Sequence, residues 1–557
     1  KSSVTLYSYC PDLGAFRQTI NGQTVVAFTN PYIILKTMHK PLRTIGTFSF
    51  IFCVLCTAYW PALSHQYVHH DDINFFLRTP APYTIPAFDT NFFIGRPLGA
   101  MRLMAYNLFI NQVSDLTFFR FISIILLSLS AWLMSLSLRN YYTKEVYALL
   151  ATLIIFTLPP FQILVGFVGI CATPIALFLS TLASRFTEKP FLSLILLLMS
   201  LLIYPPLATF YWVIVAIEIL SFHITPRDHA YARLRNLFLI NFSALSIYFL
   251  ILLVTKPYFI HLAPQGYNPY VMNFSVLKKL YWFMGEPLFN ALNLWNIFPR
   301  REWSYAVLLF LLITCLMRLL KLYNELKNDK MQPKQFYERC VLFVLFMLLF
   351  FFSYLPTTTS GFYRCLPALM SMVMLVILWS LDTWLGLLPA KSQKVVLPVL
   401  LAAILTAGIA WANWNLYVYR VKPSAIELQY LLDNFKKVDI SRLKSVHIIR
   451  PDSQGLKFRY DEFGTPTTLY NHNILAVVSC ALREINKERL VIEDIKYDSD
   501  RNLFIYRFQG KADPARTFQY LIRISEGLKN EPIPAADIIV DMNRLYESGG
   551  PLGYLRL

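Results

Sequence analysis

Between Thr44 and Tyr417 the chain is a succession of apolar runs that carry almost no charge. A run of about 20 apolar residues can cross the hydrocarbon core of a bilayer. Inside that core each segment must satisfy its own backbone N–H and C=O groups, so a crossing run has to be an α-helix. About eleven runs can be read this way. They lie at Thr44–Ser64, Leu116–Leu138, Val146–Leu158, Val168–Ser184, Phe191–Tyr204, Leu207–Phe222, Leu237–Thr255, Tyr305–Leu322, Val341–Leu355, Arg364–Leu387 and Val395–Tyr417. The third to sixth are short and are joined in pairs by Pro159-Pro160 and Pro205-Pro206. Proline removes a backbone donor and breaks helices, so this stretch reads either as four spans or as two long buried runs.

The formal charge of +18 would suggest a nucleic-acid partner in a soluble chain. Its distribution excludes that reading. Lys36, Lys40 and Arg43 precede the first run, and Arg139, Lys144, Arg185, Lys189, Arg227, Arg233 and Arg235 fill later loops. Lys321, Lys327, Lys330, Lys334, Arg339, Lys391 and Lys394 complete the set. All fall in alternate loops, as the cytoplasmic bias of membrane proteins requires. An odd number of spans then places the first long loop and everything after Arg420 outside. No zinc spacing, phosphate-binding loop or dinucleotide fingerprint is present.

The chain is therefore expected to be an α-helical polytopic membrane protein with a small extracytoplasmic α/β domain at its carboxy terminus. Residues 1–43 read as a cytoplasmic segment with weak alternation and a turn-like Asn21-Gly22. Residues 44–420 form the membrane domain, with its long first outer loop at 65–115, and 421–557 the soluble domain. In the latter, Ser445–Arg450, Leu503–Phe508 and Ala536–Val540 read as strands, and Asn473–Ile485 and Ala515–Leu528 as helices. Asp461-Glu462-Phe463-Gly464 reads as a solvated acidic turn. Cysteine spacing implies no disulfide framework, and Cys53 and Cys56 read as packing residues inside the first run.

Candidate chemistry lies in the outer segments. His69-His70-Asp71-Asp72 follows the first run, with Arg78 and Gly95-Arg96-Pro97-Leu98 beyond it. Two adjacent carboxylates repel each other, and one of them can act as a base or a metal ligand. Residues 97–111 suit a helix lying in the interface plane. Lys278 and Lys279 stand among Tyr, Trp and Phe, a setting that suits a lipid-linked phosphate or an ordinary aromatic belt. Arg364, at the edge of the tenth run, can clamp a phosphate bidentately or simply snorkel.

This layout resembles the GT-C glycosyltransferases that use polyprenyl phosphate sugars, and among them the bacterial O-antigen glucosyltransferases of serotype conversion. The resemblance rests on Asp71-Asp72, Arg78 and Gly95-Arg96-Pro97-Leu98, and covers about a fifth of the chain. It implies transfer of a sugar from a polyprenyl phosphate to a glycan or lipid acceptor at the outer face of the inner membrane, with the carboxy-terminal domain in the periplasm. Asp71 or Asp72 would be the general base, and Arg78, Arg96, Lys278 and Arg364 would hold the donor phosphate. A divalent cation, Mg or Mn, held by Asp71, Asp72 and His70 is compatible with the same chemistry. Two other classes stay open: a lipid or sugar transporter, and a non-catalytic membrane subunit that contacts membrane protein partners through the outer domain.

Overall fold

The computed structural model describes residues 7–10, 15–20, 23–28, 31–69, 72, 95–110, 112–142, 144–171, 173–222, 227–259, 276–297, 302–328, 332–354, 362–438, 443, 445–452, 456, 463–469, 471–486, 490–498, 503–510, 517–526 and 536–555. The chain divides into two compact units, 1–54 and 55–557. The first holds an antiparallel sheet of β1 (Tyr7–Cys10), β2 (Ala15–Ile20) and β3 (Gln23–Phe28). Ile20 pairs with Gln23 across the expected Asn21-Gly22 connection. Most of α1 (Pro31–Ala58) also belongs to this unit.

The second unit is built on helices. After α2 (Trp60–Ser64) come α3 (Pro97–Phe109), α4 (Asp115–Leu138), α5 (Glu145–Ile155), α6 (Pro159–Gly166), α7 (Val168–Cys171), α8 (Pro174–Ala183) and α9 (Pro190–Ile203). They are followed by α10 (Pro205–Ala208), α11 (Tyr211–Ser221), α12 (Arg227–Phe259), α13 (Val276–Gly285), α14 (Pro287–Leu292), α15 (Glu302–Lys327) and α16 (Pro333–Phe352). The series ends with α17 (Pro367–Leu385), α18 (Ala390–Leu416) and α19 (Lys422–Phe435). Six helices among the described residues are long and apolar enough to cross a membrane, or seven if the bent pair α5–α6 counts as one. The apolar stretches of Thr44–Ala58, α8, α9 and α10–α11 are shorter. Proline at the first turn starts α6, α8, α9 and α10, where its missing N–H costs nothing. The chain bends by 64° between α5 and α6.

Burial separates the centre of the bundle from its edge. The apolar windows of α4 and α17 are each 61% buried, against 17% for α15 and 11% for α16. The first two are core helices and the last two form a peripheral hairpin. Polar side chains join the central helices. Asn415 Nδ2 donates to Gln162 Oε1 at 2.8 Å, and Trp295 Nε1 donates to Thr157 Oγ1 at 3.0 Å. Such bonds hold helices together where the hydrophobic effect gives no preference for helix over lipid. Gly408 permits the approach, since a Cβ there would lie 2.8 Å from Thr157 Oγ1.

The carboxy-terminal part contains α20 (Asn471–Asn486) and a sheet of β4 (Ser445–Arg450), β5 (Leu490–Asp498), β6 (Leu503–Gly510), β7 (Thr517–Glu526) and β8 (Ile538–Asp541). The strand order is β5-β6-β7-β4-β8. β4 runs parallel to β7 and β8, while β5, β6 and β7 form an antiparallel meander. The helix expected at Ala515–Leu528 is the strand β7. Phe518, Leu521 and Ile522 satisfy a helical spacing, but Tyr520, Ile522 and Ile524 also alternate, and pairing with β4 and β6 selects the second pattern. The eleventh run also does not end at Tyr417. It passes through a π-helical turn, Tyr417–Val421, into α19. Leu428, Leu431 and Phe435 of α19 share one hydrophobic cluster with Val477 and Ala481 of α20, Ile448 of β4, Ile110 and Val113 between α3 and α4, and Leu116 of α4.

Candidate functional site

Asp72 is fully buried just beyond α2. Its Oδ1 accepts the backbone amides of Val168 and of Gly169, the latter at 2.9 Å. Its Oδ2 accepts the His69 amide at 3.3 Å and pairs with Arg120 Nη2 at 3.4 Å. Arg120 comes from α4, is itself fully buried, and lies 3.6 Å from the centre of the Tyr67 ring. Its Nη2 also donates to the Tyr67 carbonyl at 2.9 Å, and Tyr67 Oη donates to Gly166 O at 2.9 Å. Burial pushes the Asp72 carboxyl above its ordinary range, while Arg120 and the amides of Gly169, His69 and Val168 pull the other way. Both carboxylate oxygens face donors, so Asp72 anchors the loop to the broken α6–α7 segment.

Two further arginines, Arg102 and Arg420, touch the segment that holds this anchor, and Arg96 and Arg364 pack on other aromatic rings. Arg102 Nη2 donates to Gly169 O at 2.9 Å, on the residue whose amide binds Asp72. Arg420, in the π-helical turn, is fully buried with its guanidinium 3.5 Å from the centre of the Phe167 ring and 5.8 Å from that of Phe463. Gly166 leaves room for it, because a Cβ there would lie 3.0 Å from Arg420 Cδ. Arg96 immediately precedes α3, with its guanidinium 4.4 Å from the centre of the Tyr204 ring. Arg364, in the 3-10 turn Tyr363–Cys365, has its guanidinium 5.2 Å from the centre of the Phe362 ring. Tyr204 Oη lies 3.8 Å from Cys365 Sγ.

Local sequence explains how Arg96 is held. Gly95 has φ +78°, and a Cβ there would sit 2.2 Å from Leu252 Cδ2. Only glycine adopts that conformation freely. Tyr248 Oη donates to Gly95 O at 3.2 Å. Pro97 then opens α3, and Gly99 lets the helix approach Ile203 O closely.

The structure thus sets Arg96 against Tyr204, whose hydroxyl faces Cys365 beside Arg364, and holds Asp72 on the segment that Arg102 also grips. Lys278 is exposed on α13, which packs through Trp282 and Phe283 on Tyr354 at the end of α16. Asp71, His70 and Arg78 lie outside the described residues. Asp72 does not fit a metal ligand, since N–H and guanidinium donors occupy both oxygens. His69, next to His70, turns its Nδ1 to Ser424 Oγ at 3.0 Å and Thr467 Oγ1 at 3.3 Å, and its ring lies 4.8 Å from that of Phe167.

Arg120 is a charge inside the apolar run Leu116–Leu138, and neither it nor Arg420 or Phe167 stood among the candidate site residues of the sequence. A charge within a spanning helix is a functional signal by default, and Arg120 could have been found that way. Arg420 lies beyond the last apolar run and gave no such signal.

A scan against protein-family models returns no match. A search of the curated proteins also returns none.

Proposed function

We propose that the chain is a GT-C-like glycosyltransferase of the bacterial inner membrane. It moves a sugar, with glucose as the first candidate, from a polyprenyl phosphate to an envelope glycan or lipid acceptor at the outer face. In this reading the six long helices, the bent pair and the four shorter apolar stretches supply eleven crossings. The basic loops then face the cytoplasm, and the sheet β4–β8 stands in the periplasm.

The observation that carries this reading is that Arg96 packs on Tyr204, whose hydroxyl faces Cys365 beside Arg364, in the same bundle as the segment in which Asp72 is already committed. Clustered guanidinium groups at the end of a membrane bundle suit a phosphate, which they bind bidentately. Transfer requires the acceptor oxygen to bond to the anomeric carbon while the bond from that carbon to the phosphate oxygen breaks. The polyprenyl phosphate leaves with the electron pair, and Arg96 and Arg364 stabilise its charge. The acceptor proton goes to a carboxylate. Because Asp72 has no open oxygen, we assign that role to Asp71 and make Asp72 a positioning residue.

The lock on Asp72 also favours a second reading, a non-catalytic membrane subunit, because a carboxylate saturated by protein donors accounts for the geometry of the loop without any chemistry. Purified protein incubated with polyprenyl phosphate hexoses decides between the two. Release of sugar by the native chain, lost in Asp71→Asn, supports transfer. Binding without release, unchanged by Asp71→Asn, supports the silent subunit.

A further inference from the structure

A cavity of about 590 Å³ opens at the opposite end of the bundle. It lies between α11, the α15–α16 hairpin and α17, at the end where α17 passes into α18 and away from the junction of α18 with the sheet. Its inner wall is apolar, with Phe343, Phe346 and Val376 among its residues. Its mouth is ionic, with Arg318, Lys321 and Arg339 facing Glu325 and Glu338.

The charges do not cancel. Glu325 pairs with Arg339 at 3.6 Å, and Glu338 accepts a hydrogen bond from the Tyr231 hydroxyl. Arg318 and Lys321 stand three residues apart on α15, on one helix face. Neither is within ion-pair distance of an acid among the described residues. Arg318 is fixed by donating Nε to Thr383 Oγ1 at 2.8 Å and by lying 5.2 Å from the centre of the Trp379 ring. Asp382 acts on Tyr141 together with Arg318 but does not line the cavity. The hairpin that closes the cavity is the least buried part of the bundle, so in a membrane the cavity opens onto lipid.

We infer that this cavity binds one anionic phospholipid, with its phosphate between Arg318 and Lys321 and an acyl chain along Phe346 and Val376. Two cations above an apolar slot match a phosphate headgroup on a hydrocarbon tail. The volume falls within the range of ligand pockets. This inference does not rest on the glycosyltransferase reading, because its readout is lipid occupancy.

The test uses the full-length protein, delipidated in detergent and titrated with phosphatidylglycerol or phosphatidylcholine of identical chains. Native mass spectrometry counts the bound lipids. One phosphatidylglycerol should be retained at least fivefold more tightly than phosphatidylcholine. Lys321→Gln should weaken it by about fivefold, the effect of one cation near a membrane surface, and Arg318→Gln/Lys321→Gln should abolish the preference. Lys321 is exposed, so its variant tests the site even if the Arg318 variant fails to fold. Met347→Trp, which fills the cavity, should lower occupancy by both lipids. Equal retention of the two lipids, or an unchanged Lys321→Gln, would overturn the inference. Displacement of phosphatidylglycerol by millimolar inorganic phosphate would also overturn it, by showing a site for the free anion.

Discussion

The guanidinium of Arg96 lies 4.4 Å from the centre of the Tyr204 ring, and the hydroxyl of the same tyrosine lies 3.8 Å from the sulfur of Cys365, the neighbour of Arg364. A phosphate held by the two arginines would make charge-assisted hydrogen bonds, each contributing about 1.5–3 kcal/mol. Arg96→Ala and Arg364→Ala should each weaken donor binding by roughly tenfold to a hundredfold. Equilibrium binding of a fluorescent polyprenyl phosphate measures this directly. Gly95→Ala should have a similar effect without touching the charge, because the new Cβ collides with Leu252 and displaces Arg96.

The two neighbouring acids should separate by phenotype. Asp71→Asn is expected to slow turnover by about 10²–10⁴-fold while leaving the melting temperature unchanged. Asp72→Asn is expected to destabilise the fold by about 3–5 kcal/mol, because it breaks a buried ion pair. Asp72→Asn/Arg120→Met should recover part of that loss, since no uncompensated charge then stays buried. Thermal unfolding followed alongside sugar release separates the two cases. Full stability in Asp72→Asn would remove its positioning role.

The spanning helices were legible because apolar length is a local property. Several of the long helices outrun their apolar runs by a turn or more. α12 starts at Arg227 and α16 at Pro333, where polar residues continue the helix beyond the hydrocarbon window. The sheet was only partly legible. β5 carries Glu493, Asp494 and Lys496 and has an irregular register between Ile492 and Asp494, so it shows no clean alternation. β7 depends on partners far away in sequence. Gly95-Arg96-Pro97 was visible as a motif, but the packing of Arg96 on Tyr204 and of Arg420 on Phe167 is a product of the tertiary fold alone.

Orientation in the membrane can be read chemically. In a variant without native cysteines, single cysteines placed at 227–235 or 321–339 should stay unlabelled by an impermeant thiol reagent on intact spheroplasts. Cysteines placed after 423 should be labelled. Labelling of the 227–235 loop with protection of the tail would reverse the orientation and the site assignment with it.

The carboxy-terminal sheet should depend on the membrane part for its stability. Glu484 accepts the Val113 amide at 2.7 Å, and Ile110, Val113 and Leu116 belong to the same cluster as the sheet. Residues 423–557 expressed alone should therefore unfold at lower denaturant concentration than the same segment in the whole protein, as tryptic susceptibility would show. Glu427 ties the segment together from within. It accepts from the Thr467 amide at 2.9 Å and from Tyr546 Oη at 2.7 Å. Glu427→Ala leaves these buried donors unpaired, at about 1–3 kcal/mol for each, and should expose the segment to trypsin in the full-length chain.

The π-helical turn sets a rotational phase. It accommodates one more residue than an α-turn, and each residue advances a helix by about 100°. Gly464 N clamps the Tyr419 carbonyl at 2.7 Å and Tyr554 Oη clamps the Val418 carbonyl at 2.9 Å, so the inserted residue cannot migrate along the helix. Deleting Val418 would restore a continuous α-ladder and swing α19 around its axis like a misindexed cog. Glu427 would then point away from Thr467, and Leu428, Leu431 and Phe435 would turn out of the cluster. A single residue of register thus sets which face of α19 meets the sheet.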